Sequence, residues 1–196
     1  MIVYKFFQIN KYTYDVIKTG KFYFNDWEKM NDPMEGYYQY NRDEQDINIE
    51  ERLKQEKKKY SICCFSNSYQ EILMWSHYAD KHQGICVELE VEENSNIQSV
   101  NVVYKKYITD IYPSLNTKDT AKHILKHKIS KWSYEKERRF FLKKKKGTYK
   151  IGKITKILLG NRCNSKVKDI IKDIVNDEVP IFQCEIDFNT NLVEIN

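Results

Sequence analysis

Two glutamates two positions apart, Glu135 and Glu137 in "WSYEKERRFF", sit in the most basic part of the chain. Between Lys131 and Lys146 there are eight Lys or Arg and only these two acids. In a strand, or an extended approach to one, both carboxylates project to the same face, with Tyr134 and Lys136 opposite. Carboxylates so close repel unless Lys131, Arg138 or Arg139 compensates or one is protonated. Such a pair can hold one carboxylate ionised and aimed while its neighbour binds a substrate hydroxyl. In a helix, Glu135 would instead pair with Arg138 or Arg139 as an ordinary surface ion pair worth a few tenths of a kcal/mol. The aromatic flank "RRFFL" favours strand, and the residues alone leave both readings open.

A second cluster lies in "SYQEILMWSHYADKHQG", where Trp75, Tyr78, Ala79 and His82 share a helix face at spacings of three and four. Trp75 reads as packing; Tyr78 and His82 are either core or site residues. In "MNDPMEG", Asp32 and Glu35 could hold a cation, or Asp32 could cap a local turn. His123 and His127 stand at i, i+4, but no third metal ligand is evident nearby. The five cysteines include no CxxC, and Cys63 and Cys64 would face opposite sides of a strand, so neither a zinc site nor a disulfide framework is expected. Phosphate-loop, dinucleotide, zinc-protease and nucleophile-elbow motifs are absent from the sequence.

These groups need a scaffold, and 196 residues with 41% hydrophobic and 14% aromatic content suffice for one domain over 1–196 with a real core. "IVYKFF" reads as a first strand, "NKYTYDVIKTG" as a short helix stopped by Gly20, and "KFYF" as a second strand. A charged helix is expected over 41–59, then the strand "YSICCFS", with Ile62, Cys64 and Ser66 on one face and Ser61, Cys63 and Phe65 on the other. Ser68 is the candidate N-cap of the next helix. The strands "ICVELEV" and "VNVVYKKY", a helix over 118–130 and the strand "RRFFL" follow. The chain then reads as a turn at Gly147 with "TYKI", strand "ITKILLG", helix "SKVKDIIKDIVND" and strand "VPIFQCEID". Strands and helices mix without strict alternation, which gives an α+β class with mixed or mostly antiparallel sheet flanked by helices.

The net charge of +5 conceals a dipolar layout. Residues 26–56 carry ten acids and four bases, whereas residues 121–153 carry thirteen bases and two acids. The basic end suits a nucleotide, nucleic acid or phosphate partner, or forms a solvated lysine surface. No stretch approaches the ~20 apolar residues of a membrane helix, and the start is not a signal peptide, so a cytoplasmic protein is expected.

Together, "FNDWEKMNDPMEG", "CCFSNS", "MWSHYADKHQGICVELEV" and "WSYEKERRFF" resemble, in this order, a bacterial family catalogued only as a domain of unknown function, which opens with a Tyr-Lys strand, here Tyr4 and Lys5. The layout is also similar to ADP-ribosyltransferases of the arginine–serine–glutamate class. That resemblance implies Glu137 as the catalytic carboxylate and Glu135 as its acceptor-side partner. Ser66 would contact the nicotinamide ribose, and Tyr4, Lys5, Tyr78 and His82 would line the pocket. The substrate it implies is NAD, with ADP-ribose passed to a macromolecule, in a toxin or phage-defence setting, and no metal. The chain departs from that pattern at the first strand, where Lys5 replaces the arginine and lacks its bidentate fork. It departs again at the Ser-Thr-Ser triplet, here Cys64, Phe65 and Ser66. The rival readings are a nucleic-acid binding or processing module built on 121–153, or a non-catalytic interaction protein.

Overall fold

In the computed structural model the described residues are 1–40, 48–91, 97–111, 116–143 and 145–195. The first half runs β1 (Ile2–Phe7), α1 (Lys11–Thr19), β2 (Lys21–Phe24), α2 (Ile49–Lys58), β3 (Ser61–Ser66), α3 (Ile72–Tyr78), β4 (Ile85–Val91) and β5 (Ile97–Asn101). It continues with β6 (Val103–Lys105), α4 (Thr117–Leu125), β7 (His127–Ile129), β8 (Glu137–Leu142), β9 (Gly147–Lys150), β10 (Gly152–Leu159), α5 (Ser165–Val175), β11 (Ile181–Asp187) and β12 (Leu192–Ile195). Eight strands form one sheet in the order β12-β11-β10-β4-β1-β3-β8-β5. All its neighbours are antiparallel except β10 and β11, which α5 joins as a crossover. The class is the α+β expected. Among the described residues no helix is long and apolar enough to cross a membrane.

Alternation along the strands builds two layers of core. Val3 and Phe7 of β1 point to the face that also collects Phe22, Phe65, Phe140 and the α5 residues Ile171 and Val175. Phe6 and Tyr4 point to the opposite face, where α3 lays Met74 and Trp75 against Cys86 and Leu158. Helix α1 starts because the Asn10 side chain accepts from the amides of Tyr12 and Thr13, and it stops at Gly20 with φ 64°.

The sheet is not continuous through its centre. Strand β1 pairs with β4 over six residues but with β3 only at Tyr4↔Ser66. Past that point the two strands part, and other groups take up the edge of β3. Ile62 exchanges both backbone hydrogen bonds with Asn25 (2.8 and 2.9 Å), and the Cys64 carbonyl accepts from Lys5 Nζ at 2.7 Å. Unpaired backbone groups must find partners, and here the partners frame an opening instead of closing a ladder.

Three expectations need correction, and a fourth is met in its described part. Helix α3 is capped by Glu71, not Ser68, and ends at Tyr78. Asp80, Lys81 and His82 then turn left-handed, with φ of 46°, 55° and 71°. Helix α4 stops at Leu125 because His127–Ile129 pairs in parallel with β6. The stretch "VNVVYKKY" is two strands, β5 and β6, parted at Val102, whose amide donates to the Glu137 carbonyl. Of the charged helix expected over 41–59, α2 covers Ile49–Lys58; 41–47 lie outside the described residues.

Candidate active site

The opening between β1 and β3 is a cavity of about 370 Å³, within the range of small-molecule sites. Strands β1, β3 and β8 present a cross-strand row to it: Tyr4 is in register with Ser66, and Ser66 with Glu137. The row rests on three strands separated widely in sequence and fixed by backbone pairing.

Glu137 is 4% exposed and heavily bound. Its amide donates to the Tyr104 hydroxyl at 2.8 Å. Its carboxylate accepts from Arg139 Nε at 2.7 Å and Nη2 at 3.2 Å, and from Lys128 Nζ at 3.4 Å. Arg139 turns its remaining N–H groups to Glu35, at 2.6 and 2.7 Å, and to the Leu125 carbonyl at 2.7 Å. All five guanidinium donors are thereby used. Lys128 Nζ also reaches Glu135 Oε2 at 2.5 Å, and the Tyr78 hydroxyl donates to Glu135 Oε1 at 2.5 Å. Asn31 Nδ2 donates to the same hydroxyl.

The two glutamates do not meet by strand alternation. Glu135 closes a 3-10 turn over Ser130–Glu135, Lys136 is left-handed (φ 45°, ψ 45°), and Glu137 opens β8. A non-glycine residue in that conformation costs about 1–2 kcal/mol. The Lys136 carbonyl is held there by the Asn67 amide (2.9 Å) and side chain (2.8 Å). The twist lets both carboxylates converge on Lys128.

Glu35 arrives from the "NDPMEG" turn. Asp32 caps that turn by accepting from the Met34 amide at 2.9 Å, and Gly36 follows at φ +72° with its Cα against the Trp27 ring. The Gly36 carbonyl accepts from Lys57 Nζ at 2.9 Å, and this ammonium lies 4.0 Å from the Trp27 ring centroid and 5.3 Å from that of Tyr38. Helix α2 thus clamps the turn that carries Glu35.

The electrostatics differ among these groups. Burial pushes the Glu35 carboxyl above its usual value despite Arg139. Burial also acts on Glu137, but Arg139 and Lys128 outweigh it and hold the carboxyl well below the usual range. Burial works against the Lys128 ammonium, yet Glu137 and Glu135 raise it overall. Burial, then the bond to Glu135, pushes Tyr78 up. Cys64 also lines the cavity, and burial followed by the Glu137 charge raises its thiol well above normal. It is no thiolate nucleophile. Three carboxylates, Glu35, Glu135 and Glu137, face two cations, Lys128 and Arg139, so this buried cluster carries one formal negative charge more than positive.

Comparison with known proteins adds one finding at this point. Residues 74–140 match the model of a family described as Protein of unknown function (DUF2971). Comparison with curated proteins found no match, nor did comparison with solved structures. The matched segment runs from α3 into β8 and includes Tyr78, Lys128, Glu135, Glu137 and Arg139, the greater part of the charged cluster. Tyr4, Lys5, Glu35 and Ser66 lie before it.

Of the residues singled out in the sequence, Tyr4, Lys5, Ser66, Tyr78, Glu135 and Glu137 line this cavity. The Tyr4 hydroxyl donates to Glu88 at 3.1 Å, and Ser66 Oγ accepts from the Ser68 amide at 3.1 Å. His82 is a correction: it does not line the cavity. The left-handed turn after α3 carries its ring behind Trp75, stacked at 6.2 Å and 16°. There its Nε2 is 3.2 Å from Ser76 Oγ. Among the described residues no group of three or more His, Cys, Asp or Glu is placed to hold a metal. His123 and His127 contact one another, ring centroids 4.3 Å apart, with His127 buried.

Sequence reasoning missed Glu35, Lys128 and Arg139 as one unit. The usable signal was charge set among apolar neighbours, Arg139 before "FFL" and Lys128 in "HKI". The basic stretch 121–153 also proves divided: Lys128 and Arg139 are internal, whereas Lys131, Lys136, Lys143, Lys145 and Lys146 are exposed.

Proposed function

We propose that the cavity binds NAD and that the protein is an ADP-ribosyltransferase-like enzyme, passing ADP-ribose to a macromolecular acceptor. The observation that carries this reading is the in-register row Tyr4–Ser66–Glu137 over a split in the sheet. In the proposed reaction the bond between ribose C1 and the nicotinamide nitrogen breaks, and nicotinamide leaves neutral with the bonding electron pair. Positive charge grows on the ribose, and the Glu137 carboxylate stabilises it. An acceptor O–H or N–H attacks C1, and its proton passes to the Glu135 carboxylate. Ser66 faces the ribose, and the Lys5 ammonium offers a charge for the pyrophosphate. The roughly 370 Å³ volume suits the nicotinamide-ribose end of the substrate, not the whole dinucleotide.

Calorimetry with NAD and a labelled-NAD transfer assay test the reading. Binding is expected in the wild type, with transfer lost in Glu137→Gln and weakened in Ser66→Ala. Circular dichroism must show both variants folded, because Glu137 also holds Arg139. Absence of NAD binding, or undiminished transfer by folded Glu137→Gln, overturns the proposal.

A further inference from the structure

From the cavity wall at Tyr78 four aromatic rings follow one another. Tyr78, in the cavity wall, is 6.4 Å from His77; His77 is 6.0 Å from Tyr134; and Tyr134 is 6.1 Å from Trp132. The successive interplanar angles of the last two contacts are 42° and 39°, a tilted ladder rather than a closed stack. His77 is exposed, and Tyr134 and Trp132 are half-buried. The Lys128 ammonium lies 4.5 Å from the Trp132 ring centroid, anchoring the far end. His77 also lines a second cavity of about 310 Å³ that shares Lys5, Phe6, Tyr23 and Tyr78 with the first. The ladder therefore leads to the wall of the candidate site.

The exposed charge contributed by residues 126–136 is positive, whereas α3 brings the Glu71 carboxylate towards Tyr134 from the other side. Lys131 and Lys136 flank the Trp132–Tyr134 step and are exposed. The one acid between Lys126 and Lys136 is Glu135, which is 4% exposed and turned inward to Lys128 and Tyr78. Aromatic faces interleaved with exposed cations suit stacked bases joined by phosphates. Lysines are depleted at the cores of protein–protein interfaces, which disfavours a protein partner here. A duplex hides the faces of its bases, so the ladder calls for unpaired ones.

We propose that this face binds single-stranded nucleic acid and that a base or sugar delivered at that wall is the acceptor of ADP-ribose. The acceptor half of this proposal rests on the NAD reading; the binding half does not. Bases flanking the acceptor stack on His77, Tyr134 and Trp132, and Lys131 and Lys136 hold phosphates. The acceptor's N–H or O–H supplies the nucleophile of the transfer step described above, and its proton leaves to Glu135.

The test measures binding in the absence of NAD, so that its failure and failure of NAD binding are separate results. Fluorescently labelled single strands of about a dozen nucleotides, one RNA and one DNA, are titrated at low salt beside the matching duplex. Either single strand is expected to bind more tightly than the duplex, and the stronger of the two identifies the acceptor polymer. His77→Ala is expected to weaken binding by about five-fold or more, with recovery in His77→Tyr. Reversing both Lys131 and Lys136 to Glu is expected to weaken it further and to flatten the salt dependence. No binding to either strand, equal affinity for the duplex, or indifference to the ring and charge substitutions overturns the proposal.

Discussion

Arg139→Met tests the charged cluster most directly. Arg139 is 1% exposed and spends every donor on Glu137, Glu35 and the Leu125 carbonyl. Methionine approximates its length and supplies none of those bonds. Glu137 would keep Lys128, at 3.4 Å, and the Cys64 thiol, neither replacing the guanidinium, and Glu35 would lose its bidentate partner. Removing one member of a buried ion network costs about 3–5 kcal/mol. At about 2–4 °C per kcal/mol for a chain of this length, the melting midpoint falls by on the order of 10 °C. The loss must also depend on pH. The folded Glu35 carboxyl already lies above 4.5 because of burial, and Arg139 is the largest influence pulling it down. Without Arg139 it rises further. A carboxyl raised in the folded state keeps a proton that the unfolded chain has released, so stability declines as pH climbs through 4.5 towards the folded value. The deficit of Arg139→Met is therefore larger at alkaline pH than near the ordinary carboxyl value of 4.5. Urea titrations at the two pH values measure it. The double variant Glu35→Leu/Arg139→Met, which replaces the pair by apolar groups, should regain much of the stability. A single variant within about 1 kcal/mol of wild type, or a deficit identical at both pH values, refutes the reasoning.

Two other sites give sharp outcomes. Burial lowers the Lys57 ammonium to about 8 against the ordinary 10.5, so folding stability should rise as pH climbs from about 8 towards 10.5 and be flatter in Lys57→Met. An NMR titration that finds all lysines near the ordinary value contradicts this. Gly36→Ala combines φ +72° with a new Cβ 2.5 Å from the Trp27 ring, and should cost at least about 1–2 kcal/mol. Denaturation with tryptophan fluorescence reads both the loss and the displaced ring, and an unchanged midpoint would count against the packing described for the Glu35 turn.

What the sequence made legible was local. The stop at Gly20, the alternation in β3 and the helix α5 all depend on neighbours within a few positions. The helical spacing that included His82 was misleading for the same reason. Periodicity continues on paper past Tyr78, but three left-handed residues end the helix and carry His82 away from the cavity. The order of Tyr4, Ser66 and Glu137 could be read, but their register could not, because pairing between distant strands sets it. Least legible was the partnership of Glu35 with Arg139, 104 positions apart, which only the folded chain brings together.

A buried network of five charged side chains is poor evidence of selection for stability. Well-packed apolar residues in their place would be neutral or stabilising by about 1–4 kcal/mol. Its position along a cavity wall is the better guide, since strongly perturbed ionisable groups gather at functional sites. The network also separates the two glutamates chemically. Arg139 and Lys128 hold Glu137 ionised far below neutral pH and fix both its oxygens. A carboxylate so stabilised is a weak base, because taking a proton would forfeit those bonds. It suits the electrostatic part of the proposed transfer, stabilising positive charge on the ribose. In the proposed transfer the proton goes to Glu135, which Tyr78 and Lys128 hold in the same cavity wall at the other end of the turn. The pair that looked symmetrical in "WSYEKERRFF" is unequal once folded: Arg139 contacts Glu137, and Tyr78 contacts Glu135.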